Sequence, residues 1–470
     1  MPVSSKHPAY SEAAAKWELV NAVINSNTKN YIPNIEKGQT STPSEATNRR
    51  NTEYRDGAVL VNFTARTRNG LVGALGREDP TAELPQDLEY VLKDATGAKM
   101  GLGKLAQKIL GEVLVTGRYG LLVDYPASEG GLSVEQVAAL DLKARINQYP
   151  ASSILNWGAE YVNGTYKINL VVLLEETSTL DEEGFVWSST KQYRVLRLVD
   201  GTYTQQLYNH EEKLTDEYTP TDSKGDTWDT IPFVFVGSED NDADVDTVPL
   251  YDLAKLNIAH LVNSADYEES VHISGQPTLM LSTNMSPQQM ATSYPEGIFL
   301  GARNGYNLGD GGTASLLQPN PNQIAEVAMR HKEEQAVMLG ARLITPASSS
   351  ETVDAVRMKH TSDTSVLMTA RNNINSALKD CLGWLARFMG VDDTEFEFSL
   401  NKKFFDEALD PQEIMGDIQL YMNGIISKED VRNKLRRHGK IDSDRTNEDI
   451  DADIDSVDPF SSGDFTDDTN

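Results

Sequence analysis

Apolar positions along the chain run at helical period, turn strand-like after Gly117 and return to helical period from about 249. Tyr10, Ala13, Ala14, Trp17 and Val20 recur at helical spacing, which predicts a helix over 8–24. The polar stretch 41–51 carries Pro43 and predicts a loop. A further helix is expected over 54–75, before Pro80 and Pro85 break the chain. Leu102, Leu105, Ala106, Ile109, Leu110, Val113 and Leu114 fall at i, i+3, i+4, i+7, i+8, i+11 and i+12, which predicts an amphipathic helix. After Gly117 the pattern turns strand-like. Strands are expected at 119–125, 166–175, 185–187, 192–199, 203–208 and 232–236. Their connectors are rich in Gly and Asp, as at Asp181-Glu182-Glu183-Gly184 and Asp200-Gly201. Helices followed by an antiparallel region give the α+β class.

Long helices are expected afterwards. One runs over 249–273, with Thr247 as cap and Pro249 in its first turn. Its apolar residues Leu253, Leu256, Ile258, Leu261 and Val262 lie on more than one side. That suits an ordinary core helix or a helix flanked by two neighbours. A small mixed insert follows over 275–317, with strands at 278–281 and 297–300. A second long helix is expected over 322–343, a serine-rich loop over 344–352, and a third helix over 353–389. On the third helix Val366, Ala370, Ile374, Ala377, Cys381, Trp384, Leu385 and Phe388 share one side. Asp410-Pro411-Gln412-Glu413 reads as a capping box for a short helix ended by Gly424. Ser427-Lys428-Glu429-Asp430 starts another, ended by Gly439.

Charge changes the picture at the C-terminal end. The chain carries 71 acidic and 42 basic residues, a net charge of −29 over 470 residues. Residues 441–470 hold eleven acids and one base, Arg445, and read as a disordered acidic tail. Residues 428–440 hold six bases and two acids, a surface for nucleic acid, a partner or that acidic tail. Residues 320–390 are near neutral, with Arg330, His331, Lys332, Arg357, Lys359, His360 and Arg371 on helices. The longest aliphatic run, 170–174, is far short of the ~20 residues of a membrane span. The first sixteen residues lack an apolar core, so no signal peptide is expected. The single cysteine, Cys381, excludes an internal disulfide.

Familiar catalytic patterns fail one by one. GAKMGLGKL at 97–105 departs from the phosphate-loop spacing, and Leu105 stands where a magnesium-binding hydroxyl belongs. Asp240, Asp242, Asp244 and Asp246 mimic a calcium loop, but Val245 replaces its glycine and Tyr251 its bidentate glutamate. The seven histidines show no ligand spacing, and His260 and His272 read as surface or interface residues. Cys381 reads as a small core residue. No cofactor or metal is expected, and nothing in the residues argues for an enzyme.

The order of parts and several local stretches resemble a portal-like family of tailed phages. The stretches are His7-Pro8-Ala9-Tyr10, GRYGLLVDYP (117–126), ILNW (154–157), QYRVLRL (192–198), IPFVFVGSEDN (231–241), VPLYDLAKLNIAHLVNSADYEE (248–269) and MLGARLI (338–344). The resemblance spans roughly 7–390 and implies a portal-like α+β architecture. Its parts would be a helical and antiparallel-β wing at 1–247, a stem helix at 248–274 and a mixed α/β clip at 275–319. A returning stem helix at 320–343, a tunnel loop at 344–352 and a long helix completing the wing at 353–405 follow, then crown helices at 406–440. The acidic tail lies outside the resemblance.

The family implies a homo-oligomeric ring, usually of twelve subunits, at one capsid vertex of the virion, assembled in the bacterial cytoplasm. Double-stranded DNA passes through its channel without sequence-specific contact. The terminase large subunit docks during packaging, a head-to-tail adaptor replaces it, and major capsid and scaffolding proteins surround the ring. No ATP hydrolysis and no membrane are implied. Pro346, Ser348, Ser349, Ser350, Arg357, Lys359 and His360 would then face the DNA channel. Asn284, Met285, Tyr294, Arg303 and Tyr306 would lie on the docking clip, and Leu253, Leu256, Leu261 and Val262 on the inter-subunit stem. Another virion assembly component, adaptor or scaffold-associated, or an acidic α+β hydrolase are the alternatives.

Overall fold

The computed structural model describes residues 2–35, 44–125, 142–162, 164–181, 183–275, 278–298, 305–317, 323–340, 353–391, 396–401, 419–422, 425–437, 441 and 445–456. The chain divides into two units, Met1–Lys402 and Lys403–Asn470. The α+β class holds: helices and antiparallel sheets make up both the body and its insert. Among the described residues no helix is long and apolar enough to cross a membrane.

Helix α1 (Pro8–Ile24) has proline in its first turn, and His7 Nδ1 caps it by accepting from Ala9 N at 3.2 Å. It buries Tyr10, Trp17, Val20 and Val23. The expected loop at 41–51 and single helix at 54–75 need correction. Helix α2 (Glu45–Gly57) already starts after Ser44, whose Oγ accepts from Thr47 N, and α3 (Phe63–Leu75) starts anew after Asn62. Both starts carry side-chain caps, which is why the chain breaks between them. Helix α2 escaped the periodicity because it buries only Asn51 and Tyr54.

Strand β1 (Thr81–Glu83) precedes α4 (Leu102–Thr116), the amphipathic helix expected from its spacing. Its seven periodic apolar residues are at most 1% exposed. Gly117 ends α4 at φ +71°, and a Cβ there would stand 2.5 Å from the Thr247 carbonyl oxygen. Strand β2 (Arg118–Asp124) is buried along its whole length. It pairs antiparallel with β3 (Arg145–Pro150), which the periodicity missed, on one side. Strand β4 (Ile154–Val162) opens a second, five-stranded antiparallel sheet. There β5 (Thr165–Leu180), β6 (Trp187–Val199), β7 (Thr202–Tyr208) and β8 (Leu214–Tyr218) follow in sequence order. The separate strands expected at 166–175, 185–187 and 192–199 are two arms of one long hairpin. The polar stretches Thr177–Thr179 and Ser188–Thr190 hid it by pairing with each other, with Thr179 Oγ1 and Ser188 Oγ 2.9 Å apart. Strand β9 (Phe233–Gly237) closes the other side of β2.

The next elements build the projecting part of the unit. Helix α5 (Tyr251–Gly275) begins two residues after Pro249, so Thr247 is not its cap. Strands β10 (Thr278–Ser282) and β11 (Thr313–Leu317) form an antiparallel ribbon with α6 (Pro287–Ser293) between them. The strand expected at 297–300 is not one: Gly297 and Ile298 are non-strand, and 299–300 lie outside the described residues. Helix α7 (Ile324–Met338) stops short of the expected 343. Helix α8 (Val353–Met389) keeps the bounds read from sequence and, at about 1.5 Å per residue, is roughly 55 Å long. It buries Leu367, Ala370, Ile374, Ala377, Leu378, Cys381, Leu382 and Leu385 against β9, β2 and α4. Trp384 is half-buried and Val366 is exposed. Strand β12 (Glu397–Ser399) returns to pair with β1.

In the second unit, α9 (Lys428–Arg437) and α10 (Asn447–Ser456) are described. The second helix corrects the reading of 441–470 as wholly disordered. Its acidic residues find basic partners on α9 (Arg432 with Asp451), so a stretch too polar for a core still folds locally. The capping box at Asp410, Gly424 and Gly439 lie outside the described residues.

Candidate functional site: the helix pair, its insert and the long helix

Helix α5 buries Leu253, Ala254, Asn257, His260, Leu261, Ser264 and Ala265. The segment joining α2 to α3 closes part of that face. Asn257 Oδ1 accepts from Thr64 N at 3.2 Å, and its Nδ2 donates to the Val61 carbonyl at 2.8 Å. Ser264 Oγ accepts from Val59 N at 2.9 Å. The Tyr54 hydroxyl donates to Asp266 at 2.7 Å, and Arg50 makes a bidentate pair with Glu269. Leu261 and Ala265 pack with Ile32 and Tyr54. Leu253 and Leu261, expected on the inter-subunit stem, are therefore core of this chain, each 2% exposed. Leu256 and Val262 are half-buried.

Helix α7 covers another side of α5. His260 Nε2 lies 3.3 Å from Glu333 Oε1, and Lys332 Nζ donates to Asn263 Oδ1 at 2.7 Å. The two pairs run in opposite chain directions, so the helices are antiparallel. His260 is completely buried rather than at the surface, stacks edge-on against Phe63, and its Nδ1 has no partner. Burial lowers its pKa against the opposing pull of Glu333, so the ring is neutral at pH 7. Where the pair meets the insert, Val271 and Ile273 on α5 and Ile324 and Val327 on α7 stay exposed.

The insert is folded by its own polar contacts. Ser286 and Gln289 form a reciprocal capping box at α6. Asn284 Nδ2 donates to the Asp310 carbonyl at 3.4 Å, and the Tyr294 hydroxyl donates to the Asn307 carbonyl at 2.7 Å. The Tyr294 and Tyr306 rings meet edge-to-face. Asn284 is exposed; Met285, Tyr294 and Tyr306 are partly buried within the insert, and Arg303 lies outside the described residues. The exposed apolar side chains of the ribbon are instead Met280, Leu316 and Leu317, at 53%, 56% and 60% exposure. Sequence reading missed them. By the register, Met280 and Leu317 lie on one face of the ribbon and Leu316, opposite Leu279, on the other.

For the channel residues the picture is partial. Pro346, Ser348, Ser349 and Ser350 lie outside the described residues, as do the side chains of Arg357, Lys359 and His360 on α8. Arg371 is not a channel base. It is 3% exposed and donates to the Leu400 and Asn401 carbonyls and to Ser399 Oγ, tying α8 to the chain after β12.

Two clusters of titratable groups lie in the body, and in the second the Nε and Nη2 of Arg118 are buried without a partner. Glu175 receives Arg194 Nε at 2.7 Å, the Tyr149 hydroxyl at 2.6 Å and Gln192 Nε2 at 2.6 Å. Asp124 lies 3.7 Å from the same guanidinium and accepts from Gln205. Burial pushes both carboxyls up; the Arg194 contacts override it at Glu175, which ends below its usual range, while Asp124 stays raised. Arg118 is clamped between Trp157 and Phe235, at 4.0 and 3.8 Å from the ring centroids, and donates to the Ala243 carbonyl. Burial pushes its pKa down to about 9 despite Asp246, Asp242 and Asp244. The carboxylates of Asp240, Asp242 and Asp246 converge within 4.8 Å. Each already accepts backbone N–H groups of its own loop: Asp246 from Glu239, Asp240 from Asp242, Asp242 from Asp244. Cys381 is buried, and burial pushes its thiol up.

Comparison with known proteins adds the following. A family model described as a domain of unknown function, DUF4055, matches residues 249–389, from just before α5 to the end of α8. No curated protein matches the chain. Among solved structures, the chain is similar to one from the virion of a native gene transfer agent particle, at 14% identity and TM-score 0.43, covering 82% of this chain and 92% of that one. It is similar to one from the neck of that particle computed with C12 symmetry, at 14% identity and TM-score 0.41, covering 80% and 89%. An HK97-family phage portal protein from Corynebacterium diphtheriae is similar at 10% identity and TM-score 0.31, covering 73% and 92%.

Proposed function

We propose that this chain is a phage-type portal protein, a ring-forming conduit for double-stranded DNA in a virion rather than an enzyme. One arrangement carries the reading. An antiparallel helix pair, α5 and α7, projects a ribbon insert and leads into the 37-residue α8, which returns to the body. That order matches the stem, clip, stem and long helix of the family the sequence stretches resemble, and the DUF4055 match spans the same unit. The exposed apolar side chains of Val271, Ile273 and Val327 at the pair's end and of Met280, Leu316 and Leu317 on the ribbon suit a partner surface, and a heterologous contact that closes makes a ring.

In this reading the ring sits at one capsid vertex. The insert receives the terminase during packaging and an adaptor afterwards, and 344–352 with Arg357, Lys359 and His360 lines the channel. A net charge of −29 suits a conduit, because every phosphate neutralised would add drag on moving DNA. The test is native mass with particle images, in the presence of scaffold and capsid proteins. One chain is 51.8 kDa, so twelve give roughly 620 kDa with an open centre. A persistent monomer under those conditions overturns the reading.

A further inference from the structure

We propose that the face of α9 bearing Lys428, Arg432 and Arg436 is a binding site for the phosphodiester backbone of nucleic acid, held closed by the acidic helix α10. The three cations recur every four residues, so they share one helix face at a rise of about 6 Å. The segment from Arg445 to Asp451 occupies all of them. Asp451 accepts from Lys428 Nζ at 2.5 Å and from both terminal nitrogens of Arg432 at 2.9 and 2.6 Å. Arg436 donates to Asn447 Oδ1 at 2.7 Å and to the Arg445 carbonyl at 2.9 Å. The Arg432 fork meets the carboxylate end-on through both terminal nitrogens, as it would meet two phosphate oxygens. These contacts hold Asp451 far below the usual carboxylate range, with Arg432 the larger cause and Lys428 the next.

The other contacts described for α10 are polar and exposed: Thr446 Oγ1 accepts from Asp449 N at 3.2 Å as its cap, and Arg445 pairs with Asp453. The ten residues of α10 are fewer than the roughly 12–15 an isolated helix needs in water, and its apolar residues are only Ile450, Ala452 and Ile454. Lys428 and Asp451 are about half exposed, so salt screens their pairing. A polyanion presents several phosphates together, whereas among the described residues this face meets the carboxylate of Asp451 and neutral acceptors of Asn447 and Arg445. Nucleic acid therefore competes for the same donors with an advantage of valence and counterion release. Closed, the face adds little attraction to a strongly acidic chain; open, it presents three cations.

The test uses the full chain in whatever assembly state it adopts, so it stands or falls independently of the portal reading. A fluorescently labelled short duplex of mixed sequence is titrated by anisotropy at about 50 and about 200 mM salt. Asp451→Ala is expected to tighten binding about fivefold or more at the lower salt. It should also steepen the slope of log K against log salt by about two to three. Adding Lys428→Ala and Arg432→Ala to that variant should return both values to wild type. A chain stopped after Arg445 lacks α10 altogether and should reproduce the gain without depending on how the variant helix packs. Single-stranded RNA runs in parallel: equal gains assign recognition to the shared backbone, and a gain on one polymer alone assigns the site to that polymer. Binding by both the Asp451→Ala and the shortened chain no tighter than wild type overturns the proposal, as does a triple variant that keeps the gain.

Discussion

Strands β2 and β10 are both rich in apolar residues and both sit in antiparallel pairings, yet their surroundings differ. Strand β2 has a neighbour on each edge and α4 and α8 packed nearby, and each of its residues is buried. Its terminal charges are interior: Arg118 lies between two aromatic faces and donates to one carbonyl while its Nε and Nη2 find no partner, and Asp124 meets Arg194 and Gln205. Strand β10 has one partner, β11, and that ribbon shows Met280, Leu316 and Leu317 to solvent. A lone two-stranded ribbon is marginal in water. The core around β2 is therefore closed within one chain, while the ribbon, like the tip of the β5–β6 hairpin with Phe185 and Trp187, shows apolar side chains to solvent. Changes in the body should read out as stability, and changes in the insert as assembly.

The largest expected effect comes from breaking the body's buried charge network. Arg194→Ala removes the cation paired with Glu175 and close to Asp124, and should cost about 3–5 kcal/mol in urea denaturation. A loss below about 1 kcal/mol would mean that water enters the network freely. Next comes Gly117→Ala, which forces a Cβ against the Thr247 carbonyl at a positive φ. About 1–3 kcal/mol of lost stability is expected by the same measurement. A pH effect follows at the helix pair. His260 is buried neutral with a lowered pKa, so the unfolded chain binds a proton that the fold does not. Its contribution is full above the unfolded value of about 6.5 and falls as pH drops toward the lowered folded value. Wild type should thus lose more melting temperature between pH 7.5 and 5.5 than His260→Asn does; parallel curves would refute this. The smallest effect on stability sharpens the contrast most. Met280→Ser with Leu316→Ser should shift denaturation by no more than about 0.5 kcal/mol per site. The same double variant should deplete the high-mass ring species in native mass measurement, whereas Arg194→Ala should lower yield without altering the stoichiometry of what folds.

Legibility followed the length scale of the signal. Helix α4 was readable because seven apolar residues meet one face and Gly117 stops it. Helix α8 was readable at both ends although its middle is mixed, because one side keeps a long apolar register. Helix α2 was not, since its stabilising contacts are polar and distant: Arg50 to Glu269 and Tyr54 to Asp266 are more than two hundred residues apart. The β5–β6 hairpin was cut into pieces because Ser and Thr pair across it without any apolar alternation. Among the site residues, position along the chain was legible and burial was not. Leu261 looked available for a neighbour until α2 and the 58–62 segment covered that side of α5, and Leu253 is buried as well.

What the residue pattern determined alone was local: the helix start at Ser427, the change of period at Gly117, the succession of helices, strands, insert and long helix, and the lopsided charge at the C-terminal end. Periodicity and backbone preference act over a few residues, so they can be read without knowing what lies opposite. Tertiary structure decided which apolar face is core and which is left over, that His260 is buried beside Glu333, that Arg118 and Arg194 are interior cations, and that an acidic stretch folds onto a basic helix. Those outcomes depend on desolvation and pairing between residues far apart in the chain, and such energies exist only once the partners have been brought together.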